Sequence, residues 1–301
     1  LRMDTRRALL VDAFAAEPLA GNVAGVVPDA SGLADEQMRA IARELGASET
    51  AFVRPSDSAD RRLRFFSPTQ EVDLCGHATV AAHAHLHEDG VVDPGEHTVE
   101  TNVGDLAIEI EADGTVWMTQ NHPRVERVDV DYDRLGSALG IDPAALRDVG
   151  ADAPTAVAST GLPFLIVPVN FLQNLGAADP DLGAVEAIAD EHDAAGVYAF
   201  TFDALDADST LHARAFAPSL GIAEDPATGT ASGACGAYLR EIGAFDEFPD
   251  EMRFEQGHFL DRPGAVRVRV AGDVRVGGSA VTSLDGRLAV PAEEDDGIVE
   301  A

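Results

Sequence analysis

Apolar positions along the chain switch repeatedly between a two-residue and a helical period. Arg7–Phe14 and Gly21–Val27 are short apolar runs joined by a polar turn, which predicts two strands. Asp35–Leu45 places Met38, Ile41, Ala42 and Leu45 on one face, the spacing of an amphipathic helix, and Gly46 ends it. Strands are expected at Ala51–Val53 and Leu63–Phe66, then a helix of small residues over Gly76–Leu86. Thr98–Thr101, Leu106–Glu111 and Val116–Thr119 alternate like an antiparallel sheet. Val125–Ile141 reads as a polar link with a short helix, which puts a boundary near residue 125. The pattern then returns. Thr155–Val169 is strand-rich, Asp181–Glu191 helical and Gly196–Phe202 a strand. Leu211–Phe216 alternates as a half-buried strand does, and Ala227–Ile242 is a second helix of small residues. Val266–Val270, Val274–Ser279 and Arg287–Val290 close the sheet, and the acidic tail from Glu293 is expected in solvent. An excess of strands with one or two helices per half predicts an α+β fold, each half a curved sheet around a small-residue helix.

The two halves also share residues. Arg64, Phe66 and Pro68 form an R-x-F-x-P pattern that recurs at Arg214, Phe216 and Pro218. After three extra residues, Gly76-His77-Ala78 lines up with Gly229-Thr230-Ala231. Upstream, Ala51-Phe52 lines up with Ala199-Phe200. A period near half the chain length implies two similar units and not a short-repeat solenoid. The expected halves are 1–125, which the tail 288–301 can join, and 126–287.

Charge changes the picture next. The 301 residues carry 53 acidic and 21 basic side chains, a net charge of −32, and every basic residue is an arginine. The acids are scattered through the chain, so the surface repels itself until salt screens it. Such a composition reads as adaptation to a molar-salt cytoplasm, as in a halophilic archaeon. With no basic patch to neutralise phosphates, nucleic acid is not an expected partner. Without lysine, neither a P-loop nor a pyridoxal-phosphate Schiff base can form. No G-x-G-x-x-G or H-E-x-x-H is present, and two cysteines are too few for a disulfide scaffold or a cysteine-rich zinc site. No apolar run is long enough to span a membrane, and the first residues lack a signal-peptide pattern, so a cytoplasmic protein is expected.

The densest chemistry lies in Arg214–Ala234, where a strand runs through Glu224-Asp225-Pro226 into a Gly/Thr/Ser-rich helix start. An acidic pair followed by proline suits the first turn of a helix. Free N–H groups at a helix start bind anions, and an acidic side chain beside them repels an anion unless it has a task. Read by local pattern alone, Asp225 suits an N-cap or first-turn acid better than a catalytic one. His77, at the other small-residue helix start, suits a hydrogen-bond partner or proton relay, and a capping role competes. Cys235, two turns inside its helix, reads as core. His83, His85 and His87 near the end of the first helix read as dipole-compatible residues in preference to metal ligands.

Taken together, DAFAAEPLAGNVAGVV, ELGASETAFV, SPTQEVDLCGHATVAAHA, EDPATGTASGA and EQGHFLDRP resemble, in order and over nearly the whole chain, the motifs of the PhzF-like phenazine-biosynthesis isomerase family. Val23 stands where that family usually has a proline. The resemblance implies a diaminopimelate-epimerase-like fold of two pseudo-symmetric domains, each a curved, mostly antiparallel sheet around a central helix. It implies a homodimer, no cofactor and no metal. It also implies a catalytic acid/base Glu49 assisted by His77 and Asp225, acting on a small carboxylate. Backbone around Gly76 and around Gly229-Thr230 would hold that carboxylate. Cofactor-free racemases of this fold carry a Cys-Gly pair at both helix starts. Here only Cys75-Gly76 does, and Thr228-Gly229 stands opposite, so two-thiol racemisation is not expected. Cys75 beside the substrate remains open, as part of a one-base epimerase or dehydratase or as a buried small residue. A non-catalytic carboxylate-binding or scaffold protein is the reading outside enzymology.

Overall fold

A computed structural model describes residues 4–149 and 152–292; the acidic tail from Glu293 lies outside the described residues. The fold is α+β, one large sheet with few helices. A first series comprises β1 (Thr5–Ala13), β2 (Asn22–Val27), β3 (Thr50–Arg54), β4 (Arg61–Phe66), β5 (Glu71–Val72), β6 (Gly95–Thr101), β7 (Gly104–Ile110) and β8 (Val116–Thr119). It also holds the helices α1 (Asp35–Leu45) and α2 (Gly76–Glu88). A second series comprises β9 (Arg124–Arg127), β10 (Ala156–Ser159), β11 (Pro163–Pro168), β12 (Val197–Thr201), β13 (Leu211–Ala217), β14 (Ile222–Asp225), β15 (Met252–Gln256), β16 (Gly264–Val270) and β17 (Val274–Gly278). Its helices are α3 (Tyr132–Leu139), α4 (Ala144–Arg147), α5 (Leu172–Gly176), α6 (Leu182–Glu191) and α7 (Gly229–Glu241). The last strand, β18 (Ala280–Ala289), returns to pair with β1.

Strand pairings repeat between the series. The order β18-β1-β2-β3-β4-β6-β7-β8 is matched by β9-β10-β11-β12-β13-β15-β16-β17. Most pairs are antiparallel, and the parallel ones fall at equivalent places: β2–β3 and β4–β6 against β11–β12 and β13–β15. Antiparallel pairing of β8 with β17, Arg275 opposite Thr119, joins the two runs.

Each run curls around its small-residue helix. α2 touches β1, β2 and β3 at one end of its run and β7 and β8 at the other, while α7 touches β9, β10, β11, β16 and β17. Close approach explains the small side chains. A Cβ on Gly236 would stand 2.6 Å from Val268 Cγ1, and one on Gly233 would stand 3.0 Å from Val276 Cγ1. A larger residue there would overpack the core. The outer faces are covered by α1 over Val27, Phe52 and Phe66, and by α3 and α6 over Leu165, Val167 and Phe216. No described helix is long and apolar enough to cross a membrane.

Several boundaries differ from expectation. β13 is buried at every position, not on one face, because α5 and α6 lie against it as well. β9 replaces an expected polar link: its RVER sequence gives no apolar period, and pairing with β10 makes it a strand. Met252–Gln256 is a further strand that the periodicity did not single out. Glu224 and Asp225 end β14 instead of opening a helix, and α7 starts at Gly229 after Thr228.

Candidate active site

Both central helices start uncapped. α2 and α7 each run 13 residues, neither N-cap side chain accepts a hydrogen bond, and neither first turn holds an acid. The first main-chain bonds run from Thr79 N to Cys75 O and from Ser232 N to Thr228 O. The N–H groups of residues 76–78 and 229–231 therefore find no acceptor in their own helices. The two helices contact one another. Asp225, just ahead of α7, lies near enough to act on Cys75 at the start of α2, so two positive dipole ends with free donors lie near one another, a place suited to a carboxylate.

Glu49, Cys75 and His77 converge at the first of these starts. Glu49 sits in the turn between α1 and β3, and its carbonyl accepts Gly25 N–H at 2.9 Å, which pins that turn to β2. Its Oε2 lies 3.5 Å from His77 Nε2 and 3.8 Å from Cys75 Sγ. Cys75 Sγ lies 3.4 Å from His77 Nδ1, and Ser48 Oγ is 3.5 Å from His77 Nε2. Side chains of Glu49 and His77 keep 21% and 13% of their surface exposed, so both are reachable from solvent. Cys75 is buried. Burial pushes its thiol well above the ordinary range, and the adjacent Glu49 charge pushes the same way. At neutral pH the sulfur therefore stays a thiol.

Asp225 enters from the other strand series. Asn22 Nδ2 donates to its Oδ1 at 2.8 Å and the Thr228 hydroxyl to its Oδ2 at 2.5 Å. Gln256 Nε2 donates to the Asp225 carbonyl at 2.6 Å and to Thr228 Oγ1 at 3.0 Å, while Gln256 Oε1 accepts Thr228 N–H at 3.2 Å. Burial raises the Asp225 carboxyl; His77 and these donors pull it down, and Glu49 adds to the rise. Glu49 and His77 lie near enough to Asp225 to act on it electrostatically, so the three share one neighbourhood.

Further residues hold this arrangement. Buried Asp12 accepts Arg262 Nη2 at 2.8 Å and Leu19 N–H at 2.7 Å, and Arg262 also donates to Gly21 and Ala20 carbonyls. Those bonds fix the β1–β2 loop that delivers Asn22. Gly257, at φ +82°, has no room for a Cβ, which would stand 2.3 Å from Arg262 O and 2.5 Å from Pro226 O. Asn22, Thr228, Gln256, Asp12 and Arg262 were not singled out from sequence as site residues. All five do lie inside the quoted motifs: Asp12 and Asn22 in DAFAAEPLAGNVAGVV, Thr228 in EDPATGTASGA, and Gln256 and Arg262 in EQGHFLDRP.

The remaining candidates separate from the cleft. Cys235 is fully buried in the core. His83 is buried, bonded to Thr79 O at 2.8 Å and held down to about 4 by burial, while His85 faces Asp89 and Thr282, and His87 faces Val92 O. Their partners diverge, so they form no ligand set. Surface hollows of about 600 Å³ along α1 and about 510 Å³ beside the Phe14–Ala20 loop contain none of Glu49, Cys75, His77 or Asp225.

Known proteins match along almost the full chain. Residues 11–286 fit the PhzC-PhzF family, described as phenazine biosynthesis-like protein. An uncharacterized isomerase of Bacillus subtilis, YfhB, is 37% identical over 93% of this chain and 98% of its own length. Another, from Clostridium acetobutylicum, is 33% identical over 92% of this chain and 96% of its own. A crystal structure of a Bacillus anthracis phenazine biosynthesis protein of the PhzF family superposes with a TM-score of 0.88 at 33% identity, covering 96% of this chain and 100% of that one. A hydroxyproline epimerase from Agrobacterium vitis shares the fold alone, at 16% identity and a TM-score of 0.59, over 98% of this chain and 94% of its own. The chain belongs to the PhzC-PhzF family of phenazine biosynthesis-like proteins.

Proposed function

We propose that the protein is an isomerase that moves a proton on a small carboxylate-bearing substrate, with Glu49 as the acid/base. The isomerase class rests on relatives so named along nearly the whole chain. The assignment of Glu49 is carried by one observation: its Oε2 stands 3.5 Å from His77 Nε2 beside two uncapped helix starts. Donors at residues 76–77 and 229–231 would hold the substrate carboxylate and absorb charge as a neighbouring carbon loses its proton. Glu49 would take that proton and return it elsewhere on the substrate, with His77 as hydrogen-bond partner. Asp225, whose carboxyl burial favours in the protonated form, would assist as a donor. All these groups belong to the chain, and the absence of lysine leaves no Schiff-base route. Use of Cys75 as a thiolate base is disfavoured by the burial and the Glu49 charge that raise it.

Glu49→Gln keeps the shape and hydrogen-bonding reach of the side chain and removes its basicity. Turnover is expected to fall by about 10²–10⁴-fold, with an unchanged circular dichroism spectrum. A folded and fully active variant would refute the assignment.

A further inference from the structure

Gln256 is buried at the end of β15, and its amide can sit only one way round. Its Nε2 donates to the Asp225 main-chain carbonyl at 2.6 Å, and its Oε1 accepts Thr228 N–H at 3.2 Å. A flipped amide would set oxygen against that carbonyl and NH₂ against that N–H, leaving two main-chain groups unpaired. The second Nε2 hydrogen therefore goes to Thr228 Oγ1, at 3.0 Å. A hydroxyl has one proton to give. With Gln256 donating to its oxygen, Thr228 directs that proton to Asp225 Oδ2 at 2.5 Å, its only acceptor among the described residues. Asn22 is fixed in the same way: its Nδ2 donates to the Ala227 carbonyl at 2.9 Å and to Asp225 Oδ1 at 2.8 Å. Both carboxyl oxygens of Asp225 thus accept from donors that are held in one direction.

We propose that Gln256 is a positioning residue: by turning the Thr228 hydroxyl onto Asp225 Oδ2, it leaves an Asp225 proton only the lone pairs that neither Thr228 nor Asn22 uses, where a substrate can take it. Gln256 acts through Thr228 and has no need to touch the substrate. Without it, the Thr228 hydroxyl can rotate and accept from Asp225, so the proton is held between the two side chains and misdirected. The titratable groups that act on Asp225 are Glu49 and His77, and Cys75 lies within the same electrostatic reach. Adjacent Glu224 is taken up by Arg214. The consequence for turnover rests on the reading of Asp225 as a proton donor made above; the hydrogen-bond chain does not.

The test follows Asp225 itself. The full chain, labelled with ¹³C at the aspartate carboxyls, is titrated by NMR in molar salt, and Asp225→Asn identifies the resonance. Thr228→Val keeps the shape of the side chain and removes the donor, so Asp225 should bind its proton about tenfold or more tightly. Gln256→Leu should tighten it similarly, and Gln256→Met, closer in length, repeats the comparison should Gln256→Leu unfold. In the Thr228→Val background the Gln256 substitution should add less than about twofold, because the two act as one chain. Thr228→Ser keeps the hydroxyl and should titrate as wild type does. Deuterium wash-in from D₂O into a pool of small carboxylates should slow by more than about tenfold in Thr228→Val and Gln256→Leu and recover in Thr228→Ser. An Asp225 titration unmoved by Thr228→Val, or equal and additive effects of the two substitutions, would overturn the chain. The expected titrations with undiminished wash-in would leave the chain standing and overturn Asp225 as the proton donor, and with it the positioning role.

Discussion

Truncating Glu224 strands a guanidinium inside the protein. Arg214 donates from Nε and Nη2 to Glu224 at 2.9 and 2.7 Å, and from Nη1 to the carbonyls of Leu175 and Ala178 at 3.1 and 2.8 Å. Its guanidinium carbon lies 5.1 Å from the rings of both Phe216 and Phe259, and the paired side chains are only 8% and 11% exposed. The first strand series carries the same clamp in a wetter form. Arg64 grips Glu71 at 2.7 Å, the two side chains are 12% and 28% exposed, and Asp35 at 2.6 Å is a second partner. Removing one member of a buried pair costs about 3–5 kcal/mol, whereas an exposed pair is worth about 1 kcal/mol or less. Glu224→Ala is therefore expected to destabilise by about 3–5 kcal/mol and Glu71→Ala by about 1 kcal/mol. Urea unfolding at fixed molar salt reads this directly. With a slope of about 3 kcal/mol per molar urea, the midpoint should fall by more than about 1 M for Glu224→Ala and by about 0.3 M for Glu71→Ala. The double variant Arg214→Met/Glu224→Met leaves no stranded charge and should recover at least half of the loss, although Leu175 and Ala178 lose a donor. Equal midpoints for the two single variants, or a double variant weaker than Glu224→Ala, would refute the reasoning.

Asp225→Asn tests the cost of the buried acid. Its carboxyl is raised above 3.8 by burial, so the folded state holds the proton more tightly than the unfolded state. Stability from that proton is complete below the unfolded value and is lost as pH rises through the folded one. The amide oxygen introduced by Asp225→Asn can accept the same Asn22 donor without carrying a charge. A thermal midpoint at pH 7 above wild type is therefore expected, together with a fall in turnover of about 10²-fold or more. A lower midpoint or undiminished turnover would count against the assignment. The net charge of −32 is proposed to mark adaptation to molar salt. Circular dichroism should show loss of structure as salt is lowered; a spectrum unchanged in low salt would remove that proposal.

Elements with a clear local period were legible from sequence. α1 runs over Asp35–Leu45, as its period implies, because four apolar residues and Gly46 define it without outside help. The start of α2 at Gly76 was expected, whereas α7 begins at Gly229, two residues after the expected Ala227. What escaped depends on contacts made far along the chain. β9 is polar and is a strand because β10 pairs with it. The Asn22–Asp225 bond spans 203 positions, and no local pattern announces it. The Arg-x-Phe-x-Pro echo was visible, but the glutamates that complete each clamp were not, since Glu71 and Glu224 follow their arginines by seven and ten residues across a variable turn. Asp225 itself was found, yet placed in a helix: Pro226 signals a helix start equally well two residues before the actual cap at Thr228.

The proton-transfer account is tested most directly by deuterium wash-in. Wild type and Glu49→Gln are incubated in molar salt and D₂O with a pool of small carboxylates and amino acids, and the masses are read. The account expects deuterium in one compound with wild type, at a carbon next to a carboxyl-bearing or unsaturated centre, and none with Glu49→Gln. Equal labelling by the two proteins would contradict Glu49 as the base.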